Sequence, residues 1–252
     1  MKSYLRSIAI FLILIPLLTG CSIMYSVLLG VDSTPNWKSN KEIAKQAKRY
    51  KIPSDYNLTL DTAAYYDGLR EIYSSKAKEL TISEEDSTEY FALKRVLKDD
   101  SQPTQFRLFD KNGIEIFKIV NCYVDPPILM NWNVQGCLDT FPPRIDIESL
   151  NSHNYDLKFL LERSSTLDNR KITFTTLPQT DYYGVILWND FMQRPSKKII
   201  KTVREYAEDS NQSIHLIFIN NQNAYLWQVM DSETKEKVKN ALQLSRRLRQ
   251  LS

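Results

Sequence analysis

Glycine, histidine and cysteine are all scarce in this chain, with six, two and three copies among 252 residues. So few glycines leave no Walker or Rossmann loop to cradle a phosphate and no Gly-x-Ser-x-Gly elbow to present a serine nucleophile. His153 and His215 are the only histidines, too few to cluster as metal ligands. His215 interrupts the apolar run Ser213 to Ile219 and reads as a hydrogen-bonded core residue. A charge excess is missing too: 33 basic residues stand against 30 acidic ones, and that near balance argues against a nucleic-acid partner. The acidic groups Asp99-Asp100 and Glu84-Glu85-Asp86 read as solvated caps, not acid–base pairs. No catalytic, cofactor-binding or metal-binding residue is assigned, and no cofactor is expected.

What is present begins at the start of the chain. Lys2 and Arg6 precede an apolar run from Ile8 to Leu18, and Leu18-Thr19-Gly20-Cys21 follows, the layout of a secretory signal with a cleavage site. Small residues suit a signal-peptidase pocket, and a cysteine just after the cut offers a thiolate for diacylglyceryl transfer, with palmitate to follow. Leu-Thr-Gly-Cys resembles a lipobox, which implies a signal peptide over 1–20 and lipid attachment at Cys21. The competing reading is an uncleaved membrane helix, because Ile23 to Leu29 is again apolar and Ile8 to Val31 is long enough to span a bilayer; Pro16 and Gly20 favour cleavage. Ser22 after the lipid cysteine, with no acidic cluster next, resembles the sorting pattern of outer-membrane lipoproteins facing the periplasm. Loss of the signal removes two cations and takes the net charge from +3 to +1.

The body of about 230 residues can bury a core as one large domain or two small ones. Residues 21–40 read as a membrane-proximal tether, 41–150 as an α/β region with a hairpin, and 151–252 as a C-terminal β-α-β region. A helix is expected from Lys41 to Arg49, capped by Ser39 or Asn40, with Ile43, Ala47 and Tyr50 inward. Asn57 to Leu60 is a short strand, Asp61 caps a helix to Ser74, and Ser83 caps another from Glu84 to Lys98. Phe106–Phe109 and Ile114–Ile119 alternate as hairpin arms, with Asn112-Gly113 supplying the positive φ angles of the turn. Val124 to Pro143 is a long excursion, Asp156 to Glu162 a helix or turn, and Lys171 to Thr175 a strand. Gly184 to Trp188 is a buried strand, Lys197 to Glu208 an amphipathic helix and Ser213 to Ile219 a second buried strand, which together imply a parallel pair with a right-handed crossover. Glu233 to Leu251 closes the chain as a helix. Trp132, Trp227, Tyr182 and Tyr183 read as core or rim packing.

With Cys21 lipidated, Cys122 and Cys137 remain as a pair. In an oxidising compartment they can close a loop of about 16 residues, worth about 3 kcal/mol; two unpaired thiols are the alternative.

Trp188, Phe191, Pro195 and Lys197 resemble the thioredoxin-like pattern in which a buried strand ends in Trp-x-x-Trp/Phe and the next helix opens with Cys-x-Pro-Cys-Lys. Both cysteine positions are lost here, and the fit needs a one-residue shift. Pro103-Thr104-Gln105-Phe106 through Asp110-Lys111-Asn112-Gly113 resembles the Pro-Thr strand and turn of that superfamily, where the proline is cis and faces the redox site. There, however, the Pro-Thr hairpin follows the Trp strand, whereas here it precedes it by about 80 residues. The chain is similar to uncharacterised lipoproteins of Bacteroidota that join a lipobox to a thioredoxin-like unit without redox cysteines. That resemblance implies an α/β fold with a thioredoxin-like mixed sheet flanked by helices, and no activity. Two functions follow as expectations. One is a non-enzymatic binding or scaffold protein, tethered through Cys21, that holds an envelope protein or peptide. The other is an atypical thiol-disulfide oxidoreductase using Cys122 and Cys137.

Overall fold

A computed structural model describes residues 30–32, 35–79, 88–124, 130–153 and 155–237. The expected signal, Cys21, the Ser83 cap, Glu84-Glu85-Asp86 and the end of the closing helix lie outside these residues; residues 232–237 of that helix are helical.

Helix α1 (Asn40–Arg49) opens with a full capping box: the Ser39 hydroxyl accepts from the Glu42 amide while the Glu42 carboxylate accepts from the Ser39 amide. It ends in a Schellman-type turn. Lys51 takes a φ of 57° and the amide of Ile52 reaches back to the Ala47 carbonyl at 2.9 Å. Then come β1 (Asn57–Leu60), α2 (Ala64–Glu79), α3 (Thr88–Asp100) and the hairpin β2 (Gln105–Asp110) and β3 (Glu115–Val120). Only Gly113 adopts positive φ in the hairpin turn, not Asn112. The Asp110 carboxylate accepts from the amides of Asn112 and Ile114, so one left-handed residue is enough to reverse the chain. After the excursion follow α4 (Leu157–Glu162), β4 (Ser164–Thr166), β5 (Tyr182–Trp188), α5 (Gln193–Asp209), β6 (Ile214–Asn220) and α6 (Gln222–Val229).

The six strands form one mixed sheet in the order β3-β2-β5-β6-β1-β4. β5, β6 and β1 run parallel, the expected β5-α5-β6 crossover among them, while β2 pairs antiparallel with β5, β3 with β2 and β4 with β1. Strands from both sides of residue 150 thus alternate in a single sheet. Successive residues of β5 feed opposite cores. Ile186 and Trp188 share a core with α1, α5, the excursion residues Trp132 and Leu138, and Leu150. Val185 and Leu187 meet residues of α2, α4 and α6.

Two expectations are corrected. Lys171 to Thr175 is not a strand: the Thr176 hydroxyl accepts from the Thr173 amide and donates to the Thr173 carbonyl, and residues 174–176 wind into a 3-10 turn. The strand beside β1 is instead Ser164–Thr166. Helix α5 starts four residues earlier than the apolar spacing suggested, because Pro195 lies in the first turn, where its missing N–H has no intrahelical partner to lose.

Candidate functional site

Asn189 and Asn221 directly follow the parallel strands β5 and β6, at the edge where open α/β sheets place their ligands. Both side chains turn inward. The Asn189 and Asn221 amides donate to the Pro103 carbonyl at 2.9 and 2.7 Å, and Asn189 also donates to Asn221 at 3.2 Å. The Asn189 carbonyl oxygen of the side chain accepts from the Met192 amide, and the Thr104 hydroxyl lies 3.6 Å from the Met192 sulfur. Pro103-Thr104 and the turn after Trp188 are therefore neighbours, despite 86 residues between Pro103 and Asn189. The peptide before Pro103 is trans, since the one cis bond among the described residues is Phe141–Pro142. Ser196, at one of the positions where the thioredoxin-like pattern has a cysteine, spends its hydroxyl on the backbone of Asn189.

The chain's own N-terminal segment covers this edge. Val31 makes an antiparallel bridge with Met192, and the Asp32 amide donates to the Phe191 carbonyl. Gln222 donates to the Asn36 carbonyl, and Asn223 exchanges two hydrogen bonds with the backbone of Lys38. The stretch expected as a loose tether is, over residues 35–40, part of the folded body.

The second concentration of polar groups lies on the opposite face of the sheet, between the hairpin and α2, α3 and α4. Asp100, Arg107, Lys118 and Glu115 have fully buried side chains. Arg107 bonds Asp100 at 2.7 Å, Glu115 at 2.6 Å and Gln105 at 2.8 Å, and its guanidinium carbon sits over the Tyr155 ring, 4.4 Å from the centroid. Lys118 donates to Asp100 and to the Ser152 carbonyl; Tyr73 also donates to Asp100, and Tyr65 links the Asp100 carbonyl to Tyr155. Two cations and two anions balance. Burial pushes the Asp100 carboxyl up, but Arg107 and Lys118 outweigh it and hold it at about 2. Burial and the neighbouring Arg107 push Lys118 down. Glu115 keeps one oxygen without a hydrogen bond, 3.5 Å from His153 Nδ1 at the protein surface. Asp99, also buried, accepts from Tyr123 at 2.9 Å and from the Cys122 thiol. Asp99 and Asp100, expected as solvated caps, are thus both buried, Asp100 within the ionic network and Asp99 beside it on Tyr123 and Cys122: a helix end that points into a protein is not a helix end in water.

Cys122 and Cys137 are free thiols with separate partners, Asp99 and the Trp132 carbonyl. Cys137 is buried and Cys122 is exposed; partial desolvation and the neighbouring Asp99 push Cys122 up to about 12, and burial pushes Cys137 up to about 11, the opposite of an activated thiolate. His215 is not hydrogen-bonded through Nε2; it is held edge-on between Tyr56 and Tyr183, and burial pushes its pKa down. Trp132 and Tyr183 are core residues, while Tyr182 and Trp227 are half-buried. No group of metal-ligating side chains occurs among the described residues, and no helix there is long and apolar enough to cross a membrane. No protein-family model, curated protein or solved structure matches the chain.

Proposed function

We propose that this chain is an outer-membrane lipoprotein of the bacterial envelope, anchored through Cys21 and facing the periplasm, whose body is a rearranged, redox-inert thioredoxin-like module acting as a binding or scaffold protein. The reading rests on one observation above all. Pro103-Thr104 lies against the turn after Trp188, the neighbourhood that the resemblance implies, although the two segments occur in reversed chain order and the peptide before Pro103 is trans, not cis. The positions that would carry thiols hold Met192 and Ser196, and amide side chains fill the space with hydrogen bonds among themselves. The site so occupied is covered by residues 31–32 and 35–38, the nearby carboxylate of Asp190 is ion-paired with Lys38, and no thiol stands where the resemblance would place one. The oxidoreductase alternative would have to use Cys122 and Cys137, and it gains nothing from two thiols raised above the ordinary range.

Incorporation of labelled palmitate tests the anchor, with loss in Cys21→Ala expected. An insulin-reduction assay tests the chemistry: the purified chain should accelerate turbidity no more than its Cys122→Ser variant. A rate that collapses on that substitution would reverse the assignment in favour of the enzyme.

A further inference from the structure

The near-neutral total hides a segregation of charge. Residues 40–51 hold five basic side chains and one acidic, and residues 193–204 hold five basic and none acidic. Since the chain has 33 basic and 30 acidic residues, everything outside these two stretches carries 23 against 29. Outside α1 and the first half of α5 the chain is thus net negative, although residues 237–249 hold a further five basic side chains and no acidic one. Helices α1 and α5 lie side by side: Arg204 donates to the carbonyls of Tyr50 and Lys51, and the Tyr50 hydroxyl reaches the Gln193 carbonyl. Nine of the ten cations are exposed, Arg204 being half-buried.

The chain enters the body among these cations. Gly30 lines a cleft of about 460 Å³ with Arg49, Arg194 and Lys197, and its Cα is so close to Arg194 that a Cβ there would lie 2.7 Å from the Arg194 Cβ. Nine residues separate Gly30 from Cys21, a reach of at most about 30 Å when fully extended. The charge also runs along α5 with a direction. Arg194, Lys197 and Lys198 stand at the end where Gly30 packs, whereas Glu205 and Asp209 line a second cleft with Asp139 near the other end of the helix, about 20 Å away.

We propose that the α1–α5 face is a membrane-apposed surface that takes the headgroups of anionic phospholipids. A basic face beside a lipid anchor is the pairing of two weak signals that makes membrane attachment firm, and each cation near an anionic surface adds about fivefold to partitioning. The acidic far end is repelled from that surface, so the body stands on α1 and the start of α5. The inference deepens the tether reading, which fixes where the bilayer lies; the basic face itself does not depend on it.

Lysine acetylation of the full-length chain, read by mass spectrometry on vesicles of phosphatidylcholine alone and with phosphatidylglycerol added, tests this. Lys45, Lys48, Lys197 and Lys201 should react about fivefold more slowly or less on the anionic vesicles, while the exposed Lys111 and Lys158 on other faces keep their rates. The protection should vanish at about 1 M salt, where the screening length falls to about 3 Å. In Lys45→Glu/Lys197→Glu, both exposed positions, Lys48 and Lys201 should lose it. Flotation with pure phosphatidylcholine vesicles reports the anchor by itself. A chain that floats with them yet is acetylated equally on both vesicle types overturns the face and keeps the tether. Salt-sensitive protection by phosphatidylglycerol in a chain that does not float with phosphatidylcholine keeps the face and removes the tether. Protection by duplex DNA without protection by the anionic vesicles overturns the lipid assignment.

Discussion

Arg107 carries the largest single obligation in the protein: it is fully buried and bound to both Asp100 and Glu115. Arg107→Met leaves two buried carboxylates facing Lys118 alone, and removing one partner of such a pair costs about 3–5 kcal/mol. Asp100→Asn strands the cations in the same way. The double variant removes a charge of each sign, so urea denaturation should show it less destabilised than the sum of the singles, by about 1–3 kcal/mol of coupling. An additive result would mean that the two side chains do not act as one unit. The same network fixes an acid limit. The Asp100 carboxyl titrates at about 2 in the folded chain against 3.8 unperturbed, and a depressed carboxyl contributes stability that is present above the unfolded value and lost as pH falls through the folded one. The unfolding free energy from urea titrations should therefore drop between about pH 4 and pH 2, by about 2–3 kcal/mol from this group, and Asp100→Asn should flatten that segment of the profile.

Among elements, the stretch described at 31–32 and 35–38 is the one whose role differs most from its appearance in sequence. Polar, with Pro35 and few apolar side chains, it has the composition of a linker, yet its backbone is bound by Gln222 and Asn223 from the start of α6. Asn223→Ala removes both bonds to Lys38, and limited proteolysis should then cut near residues 35–40 several-fold faster while the body stays intact. Unchanged cleavage would show that the remaining contacts at Val31 and Asn36 suffice. Helix α6 itself was invisible to periodicity because its apolar residues, among them Ala224, Leu226 and Val229, spread around the axis and do not form a stripe. By contrast β5, α5 and β6 were legible, since a run such as Val185–Trp188 and the spacing of Ile199, Ile200 and Val203 admit one reading each. The ionic network was not. Arg107 and Lys118 face each other across the hairpin, and in an isolated hairpin an alternating polar face points to water. Only the packing of α2, α3 and α4 over that face turns its charges into a buried site, and nothing local in the sequence announces a covering layer. The Pro103–Asn189 neighbourhood was half legible: both segments were recognisable singly, but the contact between them depends on a strand order that periodicity does not encode.

At the scale of the whole molecule, the sheet makes the two halves of the chain mutually dependent. β5 and β6, the pair with the most apolar sequence, lie between β2 on one side and β1 on the other, and both of those neighbours come from before residue 150. A fragment covering 151–252 would expose the edges of β5 and β6, with seven and seven residues, as unpaired templates for aggregation, and would leave Ile186 and Trp188 without α1 and the excursion that bury them. The expected outcome is that this fragment, expressed alone, is insoluble or lacks dispersed amide resonances, and that co-expression with the preceding residues restores a soluble complex. A fragment that folds by itself would mean that the parallel pair and its crossover helix form an independent unit, and the resemblance carried by Trp188 and Pro195 would then belong to that unit rather than to the whole sheet. Interleaving also explains why the basic face and the ionic network can coexist in a nearly neutral chain. They lie on opposite sides of one sheet, each built from segments far apart in sequence: the network is neutral in itself, and the surplus of the basic face is offset by the acidic excess of the rest of the chain.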